Sequence, residues 1–168
     1  THKVLIAWEI PDERITIEKD GESLDLPRAI SNRYTLSLHS KAQLRKVLES
    51  WRGRAFTEEE LAGFDTTKLL GANCMLQIIH NKKDEKTYAN VQNVVSLPKG
   101  MEKKKAENPL KYFSFEDSNG EIPEGTPDWI KDIIKASDEW AHIQGISDTP
   151  QPDNSDYATQ DDGPDCPF

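Results

Sequence analysis

Apolar and polar positions alternate through the first part of the chain in short runs rich in branched and aromatic residues, the pattern of half-buried strands. His2 to Ile10 reads as a strand that Pro11 closes. Ile15 and Ile17 alternate with polar neighbours, and Asp20-Gly21 is a turn signal, so a small exposed hairpin or a long loop is expected here. Pro27 precedes a second strand, Ala29 to Leu38, with Tyr34, Leu36 and Leu38 on one face. The pattern then switches to helical spacing at Leu44, Val47, Leu48 and Trp51, with Gly53 as the stop. Ser40 and Gln43 have the spacing of a capping box, as do Thr57 and Glu60 ahead of a short second helix. Two further strands follow, Asn73 to His80 and Thr87 to Leu97, joined by Asn81 to Lys86, which reads as a projecting loop. Leu110 to Phe115 is a candidate short strand. A last helix over 126–144 is predicted from Thr126 as cap, Pro127 at the first position and an apolar side of Trp129, Ile130, Ile133, Ile134 and Trp140.

Charge divides the chain sharply. Residues 1–113 carry 19 basic and 16 acidic side chains, a balance of +3, whereas residues 114–168 carry 2 and 14, a balance of −12. The total of −9 therefore hides a mildly basic front and an acidic back, an asymmetry compatible with a nucleic-acid module carrying an acidic tail. From Ser147 onward there is almost nothing to bury, and a disordered tail is expected. No apolar run approaches the roughly 18 residues of a membrane span, so no membrane partner is expected. No secretory leader is recognisable at the start, and a host-cell cytoplasm is the expected location. The first residue is Thr1 rather than Met, which reads as a start partway into a natural protein.

The two cysteines, Cys74 and Cys166, and the four histidines show no metal-ligand spacing, so no metal is expected. A glycine-rich phosphate loop and a Gly-x-Ser-x-Gly elbow are both missing, and no cofactor is expected. Glu102-Lys103-Lys104 loosely matches the acid-x-Lys of some nucleases but lies in a lysine-rich linker without a partner acid at a strand end. The expectation is a binding protein, not an enzyme, with a metal-dependent nuclease as the remote rival.

The chain ends Gln160-Asp161-Asp162-Gly163-Pro164-Asp165-Cys166-Pro167-Phe168. Asp161, Asp162, Asp165, Pro167 and Phe168 suit capture by a partner with a basic rim and an apolar pocket for the phenyl ring. This tip resembles that of bacterial single-stranded DNA-binding proteins, but has Gly163-Pro164 inside the acidic run and Cys166 where an apolar residue is usual. A second set of motifs runs from Leu48-Glu49-Ser50-Trp51-Arg52-Gly53-Arg54-Ala55-Phe56 to Thr57-Glu58-Glu59-Glu60-Leu61, then Tyr88-Ala89-Asn90 and Leu97-Pro98-Lys99-Gly100. It resembles a family of bacteriophage early-region proteins regarded as single-stranded DNA-binding and OB-like, over roughly residues 2–115. The resemblance implies a further strand before that of Trp8, which this chain lacks. It also implies partners: single-stranded DNA, and replication or recombination proteins recruited by the tail.

The element order agrees with a mainly β chain with helices, an OB-like β-barrel in which helices are inserted between strands. The expected organisation is an OB-like nucleic-acid-binding domain over 1–115, a helical extension over 116–146 and the acidic tail over 147–168. The helix of 126–144 can pack within the chain or against a second copy, so a homo-oligomer is one option. Single-strand binding needs flat rings for bases and cations for phosphates. The candidates are Trp8, Tyr34 and Tyr88, with Arg28, Arg33, Arg52, Arg54, Lys82, Lys83, Lys86 and Lys99. Tyr88 stands out because Asn90 and Gln92 beside it are polar, whereas Trp51 belongs to the apolar stripe of its helix. A protein-interaction adaptor of the phage early region is the alternative function.

Overall fold

Two tight turns organise the strands of the protein, whose computed structural model describes residues 2–145. Asp20 and Gly21 both have positive φ, 54° and 81°, the backbone of a two-residue hairpin turn whose twist matches that of its strands. They join β1 (Lys3–Lys19) to β2 (Glu22–Thr35) as one long antiparallel hairpin. Pro11 therefore does not close the first strand. It lies in a register shift between Ile10 and Arg14, where residues 11–13 have no ladder partner, and a residue without an N–H is tolerated there. The second strand begins earlier than its hydrophobic pattern indicates and ends at Thr35, which leaves Leu36 outside it and half-exposed.

The inner face of this hairpin follows from its pairing. Val4 lies opposite Tyr34, and Trp8 opposite Ile30, and paired side chains share a face. Helix α1 (Gln43–Arg52) packs its apolar stripe, Leu44, Val47, Leu48 and Trp51, into one core with Trp8, Tyr34, Phe56 and Val94. The Trp8 and Trp51 rings are 6.0 Å apart and tilted by 49°. Full burial of a side chain such as Leu48 contributes about 1.5–3 kcal/mol before entropy is counted. The helix begins after Ala42 with no side-chain cap, so the Ser40–Gln43 capping box does not form; Ser40 sits in a turn upstream. Gly53 ends the helix in the left-handed conformation at φ 71°, as its position indicates.

The Thr57–Glu60 capping box does form, at the start of α2 (Glu58–Ala62). A 3-10 turn, Thr66–Leu69, follows, opened by the Asp65 carboxylate accepting from the Thr67 amide at 2.9 Å. β3 (Met75–Lys83) and β4 (Lys86–Val95) then pair antiparallel. The expected projecting loop over 81–86 is instead two strand ends and a two-residue turn. Asp84 and Glu85 hold positive φ, 49° and 65°, and the ladder runs out to Lys83 opposite Lys86. Polar composition masked these residues as a loop, but a strand beyond the core has no need of apolar side chains.

Among the described residues the strands form two separate two-stranded sheets. β2 runs beside β4 without ladder pairing, and α1 packs on both. The architecture is mixed β and α, and no barrel closes among these residues. The chain divides into two units, one ending at Tyr112 and one beginning at Phe113. Residues 110–114 form no strand, and Ser114 caps a short helix α3 (Phe115–Ser118) that takes up only the last residue of the expected Leu110–Phe115 strand. The predicted helix of 126–144 is two helices, α4 (Asp128–Lys135) and α5 (Asp138–Ile143). Ser137 makes the break: its hydroxyl donates to the Ile134 carbonyl at 2.6 Å and accepts from the Trp140 amide at 3.3 Å, competing with the backbone ladder. Thr126 is buried and donates to the Pro123 carbonyl instead of capping α4.

Candidate nucleic-acid interface

The β3–β4 sheet buries one face and leaves the other open. Leu76 pairs with Val94 and Ile78 with Val91; Val94 is fully buried, and Leu76 and Val91 pack on the core. Alternation then puts Gln77, Ile79, Asn81 and Lys83 of β3 on the opposite face, with Asn93, Asn90, Tyr88 and Lys86 of β4 as their partners. Tyr88, opposite Asn81, is 50% exposed. Its ring lies between amide side chains towards the base of the hairpin and the Lys83–Lys86 pair at the tip. Neither lysine ammonium has a hydrogen-bond or ion-pair partner among the described residues, and each residue is exposed. Lys82 projects from the same tip on the other face, opposite Thr87. The turn carboxylates Asp84 and Glu85 offset two of these three charges, so the tip is only weakly basic. An aromatic ring, four amides and two free cations on one open face can stack a base, hydrogen-bond its edges and neutralise a phosphate.

The remaining sequence-derived candidates fall elsewhere. Trp8 and Tyr34 are 6% and 5% exposed and belong to the core, so neither ring presents a face to a base. Burial pushes the Tyr34 hydroxyl above its ordinary pKa. Both face inward because the β1–β2 hairpin needs bulky residues to meet α1. Arg33 is exposed on the outward face of β2, opposite Leu5. Arg28 lies opposite Ile10 and donates to the Arg14 carbonyl at 3.4 Å. Lys99 is exposed in the turn after β4. None of these three lies on β3 or β4. The tail residues Asp161, Asp162, Asp165, Pro167 and Phe168 lie outside the described residues.

Arg52 and Arg54 brace the α1–α2 connection. Both donate to the Glu60 carboxylate, which also accepts from the Thr57 amide at 3.0 Å. Hydrogen bonds from Arg54, then Arg52, hold the Glu60 carboxyl well below the usual range. Arg52 also lies 4.3 Å over the Phe56 ring. Glu49 performs the same service one turn earlier, accepting from Arg45 at 2.9 Å and from the Phe56 amide at 3.2 Å. Two arginines at a helix end gave no indication in the sequence that one carboxylate, itself in a capping box, would take both.

A strap missed by sequence reasoning crosses the outer side of β1. The Glu9 carboxylate accepts from the amides of Glu107 and Asn108, at 2.7 and 3.0 Å, and from the Asn108 side chain at 2.7 Å. Burial raises the Glu9 pKa, but these bonds and the Arg14 charge outweigh it, so the carboxyl sits below its ordinary value. Lys104 pairs with Asp12 at 2.9 Å, and its backbone bonds the Asn73 side chain. Of the Lys103–Lys105 run, the middle lysine is therefore used internally. The only available signal was Asn108-Pro109 following the lysines, which marks a chain that must stay extended.

Burial pushes the Cys74 thiol up to about 11, so it is protonated at neutral pH. Among the described residues no group of three His, Cys, Asp or Glu is placed to hold a metal ion, and no helix is long and apolar enough to cross a membrane. No family model, no curated protein and no solved structure matches this chain.

Proposed function

We propose that this protein binds single-stranded DNA without strong sequence preference, on the open face of the β3–β4 sheet, and that its acidic C-terminal segment recruits replication or recombination proteins. The observation that carries the reading is Tyr88, half-exposed on an open sheet face between amides and the unpartnered Lys83 and Lys86. The arrangement of strand pair, helix and strand pair around one core is read as OB-like, in the manner of the bacteriophage proteins the sequence motifs resemble. In this scheme the ring stacks one base, the lysines track the backbone, and the amides tolerate any base edge. Two or three lysine–phosphate contacts give a slope of log K against log salt of about −1.4 to −2.

The test is the fluorescence anisotropy of a dye-labelled oligo-dT titrated with the full chain at several salt concentrations, beside a duplex of equal length. Tight, salt-sensitive binding of the single strand is expected. Intrinsic tryptophan quenching is a poor readout of the β3–β4 face, because Trp8 and Trp51 are buried and the exposed Trp129 belongs to α4.

A second reading is favoured by one observation. On the β1–β2 hairpin, Ile15 lies opposite Leu26 and Ile17 opposite Leu24, an apolar strip beyond the core that would suit a protein partner. As an adaptor, the chain would show no oligo-dT binding at any salt while still capturing replication proteins.

A further inference from the structure

At the end of α1, the α2 helix and the 3-10 turn border an open cleft of about 440 Å3. Of its lining residues Arg52, Arg54 and Lys68 are cationic and Glu60 is anionic, and the carboxylates of Glu49 and Asp65 lie near enough to feel Arg52 and Lys68. The Glu60 carboxylate is already shared by both guanidiniums, and Lys68 is exposed with no hydrogen-bond acceptor among the described residues. Arg52 is held by Phe56 on its face and by Glu60 at Nη2, which leaves Nη1 enclosed without an acceptor. Phe64 and Leu69 supply an apolar wall. The volume suits a ligand of nucleotide size, since small-molecule pockets run from about 300 to 1,000 Å3.

We propose that this cleft is a phosphate site that holds one nucleotide of a bound DNA strand, with Arg54 and Lys68 on the phosphate and Phe64 beside the sugar or base. The proposal rests on the single-strand reading above and extends it to a second site. Asn73, which lines the cleft, and Asn81, which faces Tyr88, are the two ends of one stretch of chain that includes most of β3. At about 3.3 Å per residue they lie roughly 26 Å apart along it. The two sites are thus separate along the chain. An acidic peptide ending in a phenyl ring offers the same pair of groups, and the experiment separates the two ligands.

The experiment follows the amide resonances of the isotope-labelled full chain as dTMP or thymidine is added, and repeats the oligo-dT salt titration with Lys68→Glu and Lys68→Ala. Expected are shifts at Arg54, Phe64 and Lys68 with dTMP but not thymidine, their loss in Lys68→Glu, and a salt slope shallower by about 0.7 in Lys68→Ala. Shifts confined to the Tyr88 face, or a salt slope unchanged by either substitution while Tyr88→Ala weakens binding, overturn the cleft and leave the sheet face standing. Displacement by an acidic Pro-Phe peptide without any dTMP shift overturns it in favour of a protein ligand. Absence of oligo-dT binding in the unsubstituted chain overturns both readings.

Discussion

Replacing Tyr88 by alanine removes the one exposed ring of the β3–β4 face. A stacked base contributes about 1–3 kcal/mol by alanine substitution, which corresponds to a roughly 5- to 150-fold weaker oligo-dT affinity. The lower half of that range is expected here, because half of the side chain is already covered in the free protein and only one ring face is available. Stability should change little, since the cross-strand pair with Asn81 contributes about 0.2–1 kcal/mol. The two effects are separated by measuring anisotropy-detected affinity and urea unfolding on the same samples, with Tyr88→Phe as a control. Phe keeps the ring and should keep the affinity. The salt slope should stay that of the unsubstituted chain, because no phosphate contact has been removed. The reasoning fails if Tyr88→Ala binds oligo-dT as tightly as the parent while remaining folded, or if Tyr88→Phe loses as much as alanine.

Other consequences concern the scaffold. Leu48, fully buried under the sheets, should cost about 2–5 kcal/mol when cut to alanine, read as a lower urea midpoint; a loss below about 1 kcal/mol would contradict its central position. The Glu60 carboxyl is held far below its ordinary value of 4.5, a depressed folded-state pKa. Its stabilisation is complete above that value and is lost as pH falls through the folded pKa. The stability gap between the parent and Glu60→Gln should therefore narrow as pH drops from about 4.5 towards 2 in a urea-midpoint series; a constant gap would refute the arginine clamp. Glu9→Ala removes the acceptor for the Glu107 and Asn108 amides, and their hydrogen exchange should speed up roughly tenfold or more while the core amides hold.

The core was legible because it obeys simple periodicities. The stripe Leu44, Val47, Leu48 and Trp51 has helical spacing, Gly53 ends that helix, and Thr57 with Glu60 starts the next. These are local signals, and no distant contact competes with them. Strand ends were less legible. Pro11 and the polar run 81–86 look like breaks, yet a bulge absorbs the first, and a two-residue turn carries the ladder through the second. Ser137 divides a helix whose apolar pattern continues across it, because one hydroxyl bonds on both sides. Among the candidate binding residues, alternation alone picked out Tyr88 as having polar neighbours. Trp8 and Tyr34 cannot be told from exposed rings by type or spacing, since what buries them is α1, brought in from elsewhere in the chain. Arg52 and Arg54 were equally opaque, as their acceptor Glu60 lies beyond a turn whose path the sequence does not reveal.

Amide shift mapping of the isotope-labelled full chain with a short oligo-dT puts the central claim to the test most directly. The account predicts that the largest shifts fall on Gln77, Asn81, Tyr88 and Asn90 and fade as salt is raised. Shifts gathered instead on the Ile15–Leu26 arm, or none at all at low salt, would contradict it.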